Sequence, residues 1–324
     1  MSVTRLPAIL GLLGLALVTG LILWRGWDVM LWGLAAAGAG LLWASLFHAI
    51  PMLLNTRAWQ MVLPRSHRSP FAALAWTFWV RESVNGLLPV ARLGGEAVAA
   101  GMMIRRGADP TFSIASLVVR LTLTLVTQVA FTLLGLLLLP LATDRAAVGR
   151  LALLLPAMAV IPLALLGVQR VGLFGLGARI LRGRLSVLAA NGPRLDRTVR
   201  RLYRRRRAVL LCCMWQMAAW VAGAGEIWLV LHYLGHGRGL ADAVMLESLS
   251  QAISTAAFLV PAAIGVQEAG FVGLGNLIGM GPDVALALAL SRRVRDVIVY
   301  GPGLLAWQAM EFRRLHAGAR KRGT

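Results

Sequence analysis

The chain has 324 residues, of which 58% are hydrophobic and 14% charged, with a mean hydropathy of +0.73. A soluble domain carries about 25% charged residues, so this composition excludes an ordinary soluble protein and points to repeated membrane crossing by helices, which alone among open structures satisfy their own backbone groups in lipid. The formal net charge is +20, nearly all of it arginine, with Lys321 the one lysine. Because those arginines cluster between apolar runs, they read as topology signals and contacts to anionic headgroups, not as a nucleic-acid surface.

Residues 6–23 form the first apolar run, preceded by Arg5 and without a small-x-small cleavage site, and are expected to be a retained first helix. A second span is expected over 29–54, followed by the basic positions Arg57, Arg65 and Arg68. Two shorter segments, 71–88 and 97–104, flank Pro89 to Glu96, and a long span covers 112–139. After a span at 151–168 comes a basic stretch at 171–207. Within it Leu195, Val199, Leu202 and Leu210 recur at near-helical spacing among arginines, which predicts an interfacial helix. A span over 208–234, two short segments at 241–259 and 269–280 around Pro261 to Glu268, and a last span over 284–310 complete the chain. The adjacent Cys212 and Cys213 suit packing better than a disulfide or a metal site, and the five histidines lack ligand spacing, so no metal and no cofactor is expected.

The two halves match at their polar points. Glu82-Ser83, Pro89, Gly94 and Glu96 correspond to Glu247-Ser248, Pro261, Gly265 and Glu268. Proline and glutamate are seven residues apart in both, and Arg120 and Arg292 each follow their glutamate by 24. The pattern predicts an all-α polytopic membrane protein with six full spans and two broken or re-entrant helix pairs, arranged as two inverted repeats. The first repeat covers 1–140, and the second covers 150–310 with the cytoplasmic connector 171–207 inside it. The positive-inside rule puts both termini in the cytoplasm. Interrupted segments at corresponding places of inverted halves mark a transporter-type binding site.

Charges within a bilayer are costly and need a partner or an aqueous cavity. Three places concentrate them here: Arg81-Glu82 with Asn85, Arg92, Gly94, Gly95 and Glu96; Arg120 with Thr124, Thr127 and Gln128; and Gln267-Glu268 with Arg292, Arg293, Arg295 and Asp296. Arg292 and Asp296 are four apart on one helix face, Glu268 is a candidate partner for Arg292 or Arg295, and Glu96 for Arg120. Glu226, well inside the 208–234 span, is a further candidate, with a lone satisfied carboxyl as the other reading. These groups serve either as structural locks or as a mixed-charge cavity for a polar headgroup, in which arginine suits phosphate or carboxylate. No nucleophile elbow, CxxC or dinucleotide fingerprint is present.

The stretch from Leu88 to Glu96, with Gly94-Gly95-Glu96, resembles the loop of the flippase-like transmembrane region of lysylphosphatidylglycerol synthases. Glu247-Ser248, Pro261, Gly265-Val266-Gln267-Glu268, Arg292-Arg293-Val294-Arg295 and Gly303 to Gln308 resemble in particular its hopanoid-biosynthesis-associated branch. The resemblance implies a bacterial inner-membrane lipid flippase or transporter for hopanoids or related amphiphiles. Its partners would be membrane lipids, with lipid-synthesis enzymes as further associates. The soluble aminoacyl-transferase domain of the synthases is not expected, so lysyl transfer by this chain is not either. The alternatives are a membrane enzyme with Glu96 or Glu268 as general base, and a non-catalytic scaffold.

Overall fold

A computed structural model describes residues 40–88, 94–139, 186–256 and 266–320, together with Gly38 and scattered helical positions between 156 and 169. The expected first span, Arg92, Pro261 and Gly265 lie outside the described residues, and of Glu268 only the backbone is described. Everything described is helix, turn or short connection.

Residues 40–47 are helical and lead through a turn at His48 into α1 (Ala49–Val62). The break has a local cause. Pro51 has no N–H for the carbonyl four residues earlier, and the next bond, from the Met52 N–H to the His48 carbonyl, is stretched to 3.4 Å. The helix runs on past the expected end at residue 54, carrying Arg57 exposed and Trp59 fully buried. It stops at Leu63, which is held extended before Pro64.

After a single 3-10 turn at Arg65–His67 come α2 (Phe71–Leu87) and α3 (Gly94–Arg105), which pack against each other. Gly107 in the left-handed region (φ 86°) reverses the chain. The Asp109 carboxylate then accepts from the Phe112 N–H at 2.9 Å to cap α4 (Pro110–Leu138), with proline in the first turn. The amphipathic α5 (Ser186–Arg204) turns Leu195, Val199 and Leu202 inward and its arginines outward. Leu210, expected on the same face, instead belongs to α6 (Arg206–Tyr233) and is exposed. Next come α7 (Leu240–Ala256) and α8 (Val266–Leu277), likewise packed together, and then the long α9 (Pro282–Arg320).

The two pairs, α2 with α3 and α7 with α8, each pack together. They pack in a crossed fashion. Helix α2 lies against α9 and α7 against α4, so the first helix of each pair touches the long helix of the other half. A Cβ on Gly303 would lie 2.2 Å from the Ser83 hydroxyl oxygen, and one on Gly135 would lie 1.8 Å from that of Ser248. Small residues that allow such approach are how membrane helices gain packing.

One apolar core joins α6, α7, α8 and α9 through Ile227, Leu246, Phe271 and Leu288, and a second joins α1, α4, α5 and α6 through Val119, Val199, Leu202 and Cys212. Outward-facing Leu46, Leu137 and Leu163 are 64–73% exposed. Bare leucines in such numbers are a liability in water and the natural surface in lipid. Among the described helices, Pro110–Leu138 and Arg206–Tyr233 are long and apolar enough to cross a membrane. In α9 the charges from Arg292 to Asp296 interrupt an otherwise apolar run.

Candidate functional site

Buried charge gathers at two places. The first is built where α2, α3 and α4 converge. The Asn85 side-chain oxygen accepts from the Gly95 N–H at 2.8 Å, pinning the start of α3 to the last turn of α2. Gly95 allows this approach, because a Cβ there would lie 2.4 Å from the Arg81 carbonyl oxygen. Glu96, in the first turn of α3, therefore faces Arg81. The Arg81 Nε donates to Glu96 Oε1 at 2.8 Å, and Arg81 also pairs with Glu82. Across the site, Arg120 Nη2 of α4 donates to the same Glu96 Oε1 at 3.2 Å. The Phe78 ring lies 5.3 Å from the Arg81 guanidinium and 5.6 Å from that of Arg120, close enough for cation–π attraction to both. Glu96 Oε2 and Arg120 Nε are buried and have no hydrogen-bond partner among the described residues.

The second cluster lies among α1, α6, α7 and α9. Arg292 pairs with Glu247 of α7, and its guanidinium is 5.5 Å from the Phe271 ring. One turn on, Arg295 Nη1 is 3.1 Å from Glu226 Oε2 and Arg295 Nε is 3.2 Å from Asp296 Oδ1. His48 Nδ1 is 2.8 Å from the same Glu226 oxygen, and His48 Nε2 is 2.9 Å from the Tyr300 hydroxyl. A ladder of neutral polar groups leads away from Arg120: Gln216 of α6 donates to Thr124 at 2.7 Å, and Gln128 donates to the Gln251 carbonyl of α7 at 3.1 Å. Each guanidinium here is stripped of water at a cost that only its carboxylate offsets.

The expected pairing of Glu96 with Arg120 is present, and Glu82, Asn85, Gly94 and Gly95 stand beside it. Elsewhere the partners differ from expectation. Among the described residues Arg292 takes Glu247, which the sequence marked only as a repeat position, and Asp296 takes Arg295, not Arg292; the side chain of Glu268, the expected partner of Arg292 or Arg295, lies outside the described residues. Glu226 is no lone carboxyl but the meeting point of His48 and Arg295. Sequence reasoning missed His48 and Tyr300, which lie 178 residues before Glu226 and 252 after His48 respectively. The one available signal was the match of Glu247 to Glu82 in the repeat. Gln267 is half-buried at the start of α8. Among the described residues no group of histidine, cysteine and carboxylate side chains has metal-site geometry.

Helices with lipid-exposed leucines outside and arginine–carboxylate pairs inside define a helical membrane protein with charged groups held at its core. The family model of the lysylphosphatidylglycerol synthase TM region matches residues 11–302. The chain belongs to that family and is, with it, a lipid-handling, flippase-like membrane protein. The match is to the transmembrane region alone, and neither a curated protein nor a solved structure matches the chain.

Proposed function

We propose that this protein moves an amphiphilic lipid, a hopanoid or a related molecule, between the leaflets of the bacterial inner membrane, and that the two charged clusters receive the polar headgroup. The observation that carries this reading is Glu96. One of its oxygens holds both Arg81 and Arg120, while the other is buried without a partner among the described residues. An anionic headgroup group can replace that carboxylate and take both guanidiniums, as phosphate and carboxylate do at paired arginines. Arg92, Gly94, Gly95 and Glu82 border this position in the sequence. In the other half Arg292, Arg295 and Asp296 would play the matching part, with Pro261, Gly265, Gln267 and Glu268 in the facing broken segment.

The architecture we assign is six full spans and two broken pairs in inverted repeats, 1–140 and 150–310, with the connector 171–207 and both termini in the cytoplasm. The matched contacts of Ser83 on Gly303 and Ser248 on Gly135 support it. Opposed broken pairs would expose the clusters to opposite faces in turn.

The test is purified protein in liposomes carrying a phospholipid or hopanoid-derived probe in one leaflet. The expected result is probe crossing well above protein-free vesicles, lost in Arg120→Gln and Glu96→Gln variants that still fold. No crossing of any such probe would sink transport, and a chemically modified lipid product would replace it with the enzyme reading.

A further inference from the structure

Four arginines from three separate elements gather where α1 ends. Arg57 is exposed on α1, Arg65 is exposed on the 3-10 turn that follows, Arg68 is half-buried just past that turn, and Arg205 is half-buried at the junction of α5 and α6. Hydrogen bonds hold these elements together. Arg57 donates to the Gln60 side-chain oxygen, and the Gln60 amide donates to the Ser69 carbonyl at 3.3 Å, which ties the last turns of α1 to the far end of the loop. Arg205 Nη1 donates to the Val62 carbonyl at 3.0 Å, three residues before Arg65.

A solvated basic face has no reason to converge in this way, because like charges repel. The convergence is felt at Arg68. Its partial burial comes first, and then Arg57, Arg65 and Arg205 all pull its proton affinity below the ordinary arginine value, with no carboxylate acting against them. The buried arginines elsewhere are different: Arg81, Arg120, Arg292 and Arg295 each have a carboxylate. Around the end of α1, no carboxylate of the described residues forms an ion pair with any of the four. Arg57 and Arg205 give donors to neutral oxygens, and Arg68 Nε is buried with no hydrogen-bond partner among the described residues. Since a guanidinium can only donate, the group that would satisfy all of them is an anion.

We propose that Arg57, Arg65, Arg68 and Arg205 form a binding site for a doubly charged phosphate group, separate from the two charged clusters in the helix core. It does not rest on the transport reading. A single carboxylate would offset one of four positive charges, whereas a phosphate monoester carries about two negative charges near neutral pH and three acceptor oxygens. Those oxygens match the forked donors of arginine. Arg57 and Arg65 are exposed, so the site is open to solvent, while the half-buried Arg68 and Arg205 give it an inner side. A phosphate held by Arg205 together with Arg65 and Arg68 would fasten the α5–α6 junction to the loop before α2. The phosphate could belong to a phospholipid of the adjoining leaflet or to a soluble compound, and the experiment separates these.

The protein is studied in phosphatidylcholine nanodiscs in two arms. In the first, the bilayer carries a small share of phosphatidic acid, and native mass spectra count the molecules retained. The wild type should keep a phosphatidic acid that Arg68→Gln and Arg57→Gln lose, while Arg313→Gln, at an exposed arginine far along α9, keeps it. In the second arm, pyrophosphate is titrated in solution and thermal unfolding is recorded. It should raise the unfolding temperature of the wild type, and Arg68→Gln should weaken its binding at least about tenfold, the loss of one charge-assisted contact. Without phosphate, Arg68→Gln should unfold no lower than the wild type, because a repelled charge has gone. Should that variant fold poorly, Arg65→Gln, at an exposed side chain, gives the same two readouts. Binding in the first arm alone assigns the site to a lipid, binding in the second alone to a soluble phosphate compound, and either supports the proposal. No binding in both arms, or equal loss in Arg68→Gln and Arg313→Gln, overturns it.

Discussion

Ser83 of α2 and Gly303 of α9 meet so closely that a Cβ on the glycine would lie 2.2 Å from the serine hydroxyl oxygen. The same contact recurs between Ser248 of α7 and Gly135 of α4, where that distance is 1.8 Å. Both serines follow a glutamate, Glu82 and Glu247, that pairs with a buried arginine. The contacts therefore fix how α2 and α7 present Glu82 and Glu247 to those arginines.

Gly135→Ala tests the second of these contacts. The added methyl group meets the Ser248 Cβ at 2.9 Å even after the hydroxyl rotates, so the helices must separate. We expect a loss of about 1–3 kcal/mol, read as a lower unfolding temperature in detergent. Ser248→Gly in the same background should recover most of it. A neutral Gly135→Ala would contradict the close packing of α4 and α7.

Glu96→Gln removes the only carboxylate that Arg120 contacts among the described residues, while Arg81 keeps Glu82. Arg120 is 2% exposed, so its charge is left buried and uncompensated. The expected cost is about 3–5 kcal/mol. Adding Arg120→Met removes the stranded charge and should restore stability but not headgroup binding. A double variant no more stable than the single one would show that Glu96 does not act through Arg120.

Cys212 packs with Leu195, Val199 and Leu202 in the core under α5, whereas Cys213 is half-buried. In a Cys213→Ala background, Cys212 should resist maleimide until the protein unfolds. In the reverse background Cys213 should react, slowly. Rapid labelling of Cys212 in the native protein would mean that α5 does not cover this part of α4 and α6.

The outward side of α5 carries Arg194, Arg197, Arg200 and Arg204 with their side chains exposed. Replacing Arg197, Arg200 and Arg204 together by glutamine should lower the number of anionic phospholipids retained in native mass spectra. Thermal unfolding should stay unchanged, because Leu195, Val199 and Leu202 on the other face hold the helix in place. Unchanged lipid retention would remove this face from membrane contact.

By itself the sequence determined the helical class and the membrane character of the chain. Apolar runs, prolines and glycines act through a residue's immediate neighbours, and the backbone in lipid has no alternative but to bond within its own helix. It also determined that Glu96 would meet Arg120, because 24 residues of chain with one tight turn bring α3 back along α4. Only the tertiary structure decided that Arg292 meets Glu247 and that His48, Glu226, Arg295 and Tyr300 share one site. Those partners come from helices far apart in the chain, and which of several available carboxylates a buried arginine takes depends on how α1, α6, α7 and α9 pack. That packing rests on many small surface fits, such as Ser248 against Gly135, that no local pattern encodes.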